Sequence, residues 1–186
     1  MGLIGWIAIG VVVLLLLYGV AVYNRLVRLR ALVREGFSGI TVQLRRRADL
    51  IPNLVETVQG YAGHERETLD SVVAHRGDAV KASSGGVAAT AAADSAMTGM
   101  LGRLMVVAEA YPDLKANQNF LALQEELTAT EGRVAYARQF YNDSVLTYDN
   151  KLESFPTVII AKSFNFEPKE YFEAEDLART APMVEF

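Results

Sequence analysis

The chain opens on an apolar segment that is long enough to cross a membrane. Residues 2–23 carry no Asp, Glu, Lys or Arg, and as a helix they extend for about 33 Å. The hydrocarbon core of a bilayer is about 30 Å thick. Trp6 lies near one end and Tyr18 and Tyr23 near the other, as interfacial aromatic residues do. No basic residue precedes the segment, which argues against a removable signal peptide. The pattern predicts a transmembrane anchor over residues 1–24.

Apolar residues then recur every three or four positions, which predicts helices with one buried face. The first stripe runs from Leu26 to Leu44 and continues the anchor helix. Pro52, with Asp49 as a capping residue, predicts a kink or break near residues 49–53.

Three further segments have helical patterns. A second helix is expected from about Pro52 to Lys81, and the reversal loop after it at Gly85-Gly86. The alanine-rich residues that follow are expected to re-enter a helix, which Tyr111-Pro112 interrupts. A long helix is expected from about 113 to 154, with the apolar spacing typical of antiparallel bundles.

Together these patterns predict an all-α fold. We expect an elongated antiparallel bundle of three or four long helices, preceded by one N-terminal transmembrane helix. The domain boundaries that follow are an anchor over residues 1–24, a bundle over 25–161 and an aromatic, acidic tail over 162–186.

The net charge of −4 is unevenly distributed. Residues 1–81 carry ten Lys or Arg against seven Asp or Glu, whereas residues 82–186 carry eight against fifteen. A basic collar beside an apolar span favours lipid head groups over nucleic acid as the partner. The positive-inside rule places the domain in the cytoplasm and the N-terminus outside. The collar consists of Arg25, Arg28, Arg30 and Arg34.

Three successive arginines, Arg45 to Arg47, cover most of the circumference of a helix and cannot share one partner. We expect one of them to pair with an acidic residue such as Glu131 on the long helix. The residues expected in interhelical polar or charge pairs are Gln43, Arg46, Arg47, Asp49, Glu131 and Arg138.

Candidate chemistry is sparse. His64-Glu65 resembles the start of a zinc-protease motif, but position 68 is Thr, and His75 would lie about 16 Å further along the helix. No cysteine is present, so disulfides and thiolate metal sites are excluded. We expect no enzyme activity, catalytic residue, cofactor, metal or small-molecule substrate.

Aromatic residues crowd the end of the predicted bundle. They either cap its open end or form a docking surface for a partner or a second copy. The residues in question are Phe155, Phe164, Phe166, Tyr171 and Phe172.

Two long motifs resemble the LemA family of bacterial membrane proteins. VQLRRRADLIPNLVETVQGYAGHE (42–65) is similar to its signature, and YPDLKANQNFLALQEELTATEGRVAYARQFYNDSV (111–145) with SFPTVIIA (154–161) is similar to its second half. The pattern departs from the family at Thr41, at Tyr148-Asp149 where a Tyr-Asn pair is usual, and at Asn165-Phe166 in place of Gly-Phe.

The resemblance implies an N-terminal membrane helix and an elongated helical bundle in the bacterial inner membrane, with no particular reaction. It also implies membrane metalloproteases as possible partners. Three hypotheses for the function follow. The first is a self-associating scaffold anchored in the bilayer, the second is an adaptor or regulator of a membrane-bound protease, and the third is a module that relays strain through its helix.

Overall fold

The computed structural model describes residues 2–63, 65–82 and 85–172. These residues form six α-helices and no strand, which confirms the predicted all-α fold. The helices are α1 (Leu3–Gln59), α2 (Arg66–Ala82), α3 (Val87–Glu109), α4 (Pro112–Lys115), α5 (Gln118–Glu153) and α6 (Thr157–Ser163).

The chain divides into two compact units, and α1 and α5 each contribute to both. The first unit comprises residues up to 36 and residues 140–171, and the second comprises residues 37–139 with Phe172. Within the first unit α1 and α5 are antiparallel, because Gly36 lies beside Tyr141 while Tyr23 lies beside Phe164, beyond the end of α5. The boundaries predicted at residues 24 and 161 stay a prediction.

The first part of α1 has the length and composition of a membrane span, and its most apolar stretch has no buried residue. From Val22 onward only one face is buried. That face includes Leu26, Val33, Ile40 and Leu44, so the predicted stripe is confirmed.

Pro52 does not end a helix, because α1 continues through it to Gln59. A proline inside a helix leaves the carbonyl four residues earlier without its usual donor. Here that carbonyl belongs to Ala48, and Arg76 Nε on α2 donates to it at 2.7 Å. Arg76 Nη2 also donates to Asp49 Oδ1 at 2.9 Å. Asp49 therefore positions Arg76, which donates the missing hydrogen bond to the Ala48 carbonyl. Asp49 does not cap a new helix.

The predicted helix from Pro52 to Lys81 is wrong, since a turn between α1 and α2 divides it. The reversal at Gly85-Gly86 is confirmed, because α2 ends at Ala82 and α3 begins at Val87.

The predicted long helix from residue 113 is also divided, because α4 ends at Lys115 and α5 begins at Gln118. Asn117 caps α5, since its Oδ1 accepts hydrogen bonds from the backbone N–H groups of Asn119 at 2.8 Å and Phe120 at 3.2 Å. A side-chain acceptor at this position satisfies amides that have no partner inside a helix.

The end of α6 explains one departure from the LemA pattern. Asn165 has a φ of +52°, in the left-handed region that favours glycine. The N–H of Phe166 donates to the carbonyl of Ala161 at 3.0 Å, and that of Asn165 to Lys162 at 3.4 Å, which forms a Schellman motif. Asn is the residue that best replaces Gly in this conformation, so the substitution preserves the turn.

The second unit has one apolar core. It is built from α1, α2, α3, α4 and α5, and its largest fully buried side chains include Ile51, Leu54, Leu69, Met97 and Phe120.

Arg76→Met should lower the free energy of unfolding by about 2 kcal/mol, because it removes charged donors from the Ala48 carbonyl and from Asp49. Chemical denaturation in mild detergent, followed by circular dichroism, measures this loss. Arg103→Met, at an exposed position of α3, is the matched control and should change stability little. Equal effects of the two variants would contradict the conclusion that Arg76 stabilises α1 at Pro52.

Gly36→Ala should also destabilise the protein, by about 1–2 kcal/mol. A Cβ at this position would lie 3.0 Å from the Tyr141 Cα, and backbone cannot yield as a flexible side chain does. Gly39 has no neighbour within 4 Å of such a Cβ, so Gly39→Ala should stabilise α1 by about 0.5–1 kcal/mol. Thermal unfolding of both variants compares them. A stabilised Gly36→Ala variant would refute the close approach of α1 and α5.

Candidate functional site

A buried charge cluster lies in the second unit, where α1, α3 and α5 each provide one member. Arg47 Nη1 lies 3.4 Å from Asp94 Oδ1 and donates to Thr98 Oγ1 at 3.1 Å. Arg138 Nη2 pairs with the other carboxylate oxygen of Asp94. The side chains of Arg47 and Asp94 are only 5% and 2% exposed. One carboxylate thus joins two arginines from two different helices.

The electrostatics of the cluster follow from burial. Burial lowers the pKa of Arg47, and nearby Glu131 partly opposes this effect. Burial also lowers the pKa of Arg138, and the positive charge of Arg47 lowers it further. Both guanidinium groups nevertheless stay protonated, since arginine does not lose its proton in proteins. The cluster therefore serves to join helices and does not exchange protons at physiological pH.

The other residues expected in polar pairs have different partners. Arg46 pairs with Glu126 at 2.7 Å on the surface. Glu131 lies 3.9 Å from Arg47 Nη2 and is 65% exposed, so Asp94 is the main partner of Arg47. The buried Gln43 Oε1 has no hydrogen-bond partner among the described residues.

Sequence reasoning missed Asp94. It is the only charged residue between Lys81 and Arg103, within a run of small residues interpreted as a reversal loop followed by a closely packed helix. A single carboxylate among alanines is the signal that could have identified it, because an isolated charge on a buried face requires a partner.

The aromatic residues separate into two groups. Phe166 and Phe172 are buried, at 9% and 4% exposure. A contact of the five residues with a partner or a second copy stays a prediction. The Phe166 ring lies 5.6 Å from Tyr23, and the Phe172 ring lies under Arg138 at 5.5 Å. Phe155, Phe164 and Tyr171 are exposed.

The basic collar is also divided. Arg30 packs its guanidinium over the Phe166 ring at 5.1 Å, within the first unit. Arg25, Arg28 and Arg34 are exposed, and their role as lipid contacts stays a prediction.

The described residues contain no group of three or more His, Asp or Glu side chains that could hold a metal ion. His64, considered above as a metal ligand, lies outside the described residues. A groove of about 570 Å³ beside the charge cluster is lined by Arg47, Thr98, Gln124 and Glu131, among others. Its lining includes two threonine hydroxyls and no histidine to act as a base for them.

These features define a class of protein: an α-helical bundle joined internally by buried charges and extended at its N-terminus by a helix of membrane-spanning length. The chain belongs to the LemA family, whose family model matches residues 36–186.

Curated relatives have 25–26% sequence identity. Magnetosome protein MamQ 2 of Paramagnetospirillum magneticum is 26% identical, over 87% of this chain and 68% of the relative. Magnetosome protein MamQ of Magnetospirillum gryphiswaldense is 25% identical over the same shares. Protein LemA of Metamycoplasma hominis is 25% identical over 84% of this chain and 71% of its own length.

Asp94→Asn should lower the free energy of unfolding by about 3–5 kcal/mol, because Arg47 and Arg138 would lose their shared buried counter-charge. Asp78→Asn, at an exposed position of α2, is the control and should have little effect. Denaturant unfolding measures both. Adding Arg138→Gln to Asp94→Asn should cost less than the sum of the single changes, because the two residues interact. Additive losses of stability would contradict the interaction between Asp94 and Arg138.

Asp149→Asn should raise the melting temperature at pH 7.5, by about 1 °C. Burial raises the pKa of the Asp149 carboxyl, and the hydrogen bond from the Lys169 N–H at 3.2 Å only partly offsets this. A raised pKa means that ionisation disfavours the folded state, so the wild-type chain gains stability as the pH falls through that value. An amide oxygen can still accept the hydrogen bond.

The gain from Asp149→Asn should therefore vanish near pH 4, close to the unfolded-state pKa of about 3.9. Thermal scans at both pH values measure it. The control Asp143→Asn, at an exposed position of α5, should change the melting temperature at pH 7.5 little. A destabilised Asp149→Asn at pH 7.5 would contradict the prediction.

Proposed function

We propose that this protein is a non-enzymatic scaffold, anchored in the bacterial inner membrane by the first part of α1. One observation carries the proposal. A single helix of 57 residues begins as a fully exposed apolar span and then supplies buried residues to both folded units. Such a span is unfavourable in water, and burial in lipid removes its apolar surface from water.

The anchor is single-pass, with the N-terminus outside and the folded units in the cytoplasm. Arg25, Arg28 and Arg34 follow the span and are exposed, which supports this orientation. Each contributes about 1 kcal/mol of attraction to an anionic membrane surface.

Scaffolding requires that copies associate. The most exposed large apolar side chains of the second unit are Tyr136, at 73%, and Val106, at 68%. Exposed aromatic residues are enriched at sites where proteins bind one another.

Both the LemA protein and the magnetosome proteins among the relatives carry names that state no reaction.

The alternative is an adaptor for a membrane metalloprotease. Its binding surface would include the exposed Phe164 and Tyr171. Phe164→Ser should then abolish co-purification of the protease while the protein stays folded. Persistence of co-purification would place the binding surface elsewhere.

Full-length protein in mild detergent should form particles of increasing mass as its concentration rises, as measured by light scattering. Tyr136→Glu should raise the dissociation constant at least about tenfold, which corresponds to about 1.4 kcal/mol. Gln139→Glu is the matched control, because it adds the same charge to the exposed surface of α5 nearby. A monomer at every concentration would refute the scaffold.

A further inference from the structure

The short helix α6 lies against the last turns of the apolar span in the first unit. A Cβ added to Gly19 would lie 3.9 Å from Ile160 Cδ1 on α6. The rings of Tyr23 and Phe164 have their centroids 4.9 Å apart. Residues 141 positions apart in the chain, Gly19 with Ile160 and Tyr23 with Phe164, are thus brought together.

A groove of about 350 Å³ separates α6 from the span over part of this length. Its lining side chains are apolar or aromatic on both sides. They come from α1 at Leu15, Leu16, Gly19, Val20 and Tyr23, and from α6 at Ile160 and Phe164.

The position of α6 relative to a bilayer follows from its contacts with α1. At 1.5 Å per residue, Gly19 lies about 6 Å and Leu15 about 12 Å along the helix axis from Tyr23. If residues 2–23 cross the hydrocarbon core, both positions lie inside it, near its border on the C-terminal side. With the span placed in this way, α6 lies beside it at the depth of the lipid chains.

The chemistry of α6 and its flanks suits this depth. From Ser154 to Asn165 the only charged residue is Lys162, which is exposed and long enough to reach a lipid phosphate. Thr157 and Ala161 are buried against the protein, whereas Phe155 is 81%, Ile159 58% and Phe164 60% exposed. A surface of this kind that faced water would be an unusually apolar patch.

We propose that α6, with the flanking Phe155 and Phe164, is a second membrane-contacting element that inserts into the leaflet on the domain side. Lipid acyl chains fill the groove between α6 and α1. Lipid is the occupant because Leu15, Leu16 and Val20, which form one wall, belong to the exposed surface of the span itself. The inference rests on the proposed membrane anchoring.

Because the chain has no cysteine, single-cysteine variants with a nitroxide label can test the insertion site by site. The full chain is reconstituted into vesicles that contain anionic phospholipid. The label is placed at Ile159, at Val13 in the middle of the span, or at Val73, an exposed apolar position of α2. Collisions with oxygen, which concentrates in lipid, are compared with collisions with a water-soluble nickel chelate.

The labels at Ile159→Cys and Val13→Cys should both show an oxygen-to-nickel accessibility ratio several-fold above that at Val73→Cys. A ratio at Ile159 equal to that at Val73, with Val13 in lipid, overturns the insertion of α6 and leaves the anchor intact. A water-exposed label at Val13 overturns the anchor and the inference together.

A second copy that covered the exposed face of α6 would give a different result. The Ile159 label would then be shielded from both collision partners, and unlabelled Ile159→Cys protein would form disulfide-linked dimers on oxidation at high lipid-to-protein ratio. That outcome would also overturn the proposal. Ile159 is exposed, so its replacement leaves the packing of Thr157 and Ala161 unchanged.

Discussion

The continuity of α1 through Pro52 is the constraint on which the second unit depends. The proline leaves the Ala48 carbonyl without an intrahelical donor, and Arg76 supplies the missing hydrogen bond from α2. The residues after Pro52 consequently stay in register with those before it. Leu54 and Val58 then reach the same core as Ile51.

The same helix joins two environments. Before Val22 it is apolar on every side, and after it only one stripe is buried. The charge cluster around Asp94 joins this helix to α3, because the buried Arg47 side chain pairs with the buried Asp94 carboxylate.

Periodicity in the sequence was sufficient to predict the all-α fold. Leu26, Ile40 and Leu44 lie on the buried face that their spacing indicates, and so do Val134 and Tyr148 on α5. These predictions are confirmed because the spacing of apolar residues within a helix is sufficient to indicate which of its faces is buried. The exposed Phe155 departs from the pattern, since it lies after the end of α5, where helical spacing no longer applies.

The wrong predictions concern positions whose local structure depends on a residue far away in the sequence. Pro52 predicts a kink or a break, and the break is absent because Arg76 donates to the Ala48 carbonyl. Nothing near the proline in the sequence identifies Arg76 as that donor. Asp94 lies in a stretch of small residues whose pattern indicates no particular face. The sequence predicts that one of the arginines from Arg45 to Arg47 pairs with an acidic residue. That the pair is Arg47 with Asp94 depends on the three-dimensional arrangement of α3.

The position of α6 makes the two sides of the anchor unequal. Leu15, Gly19 and Tyr23 lie within about 80° of one another around the helix, on the side that α6 covers. Leu14, Leu17 and Ala21 lie on the opposite side, where a second helix would approach the span without meeting α6. Two anchors that met there would carry their α6 segments on the outer edges of the pair, and each edge would present its groove to the surrounding lipid.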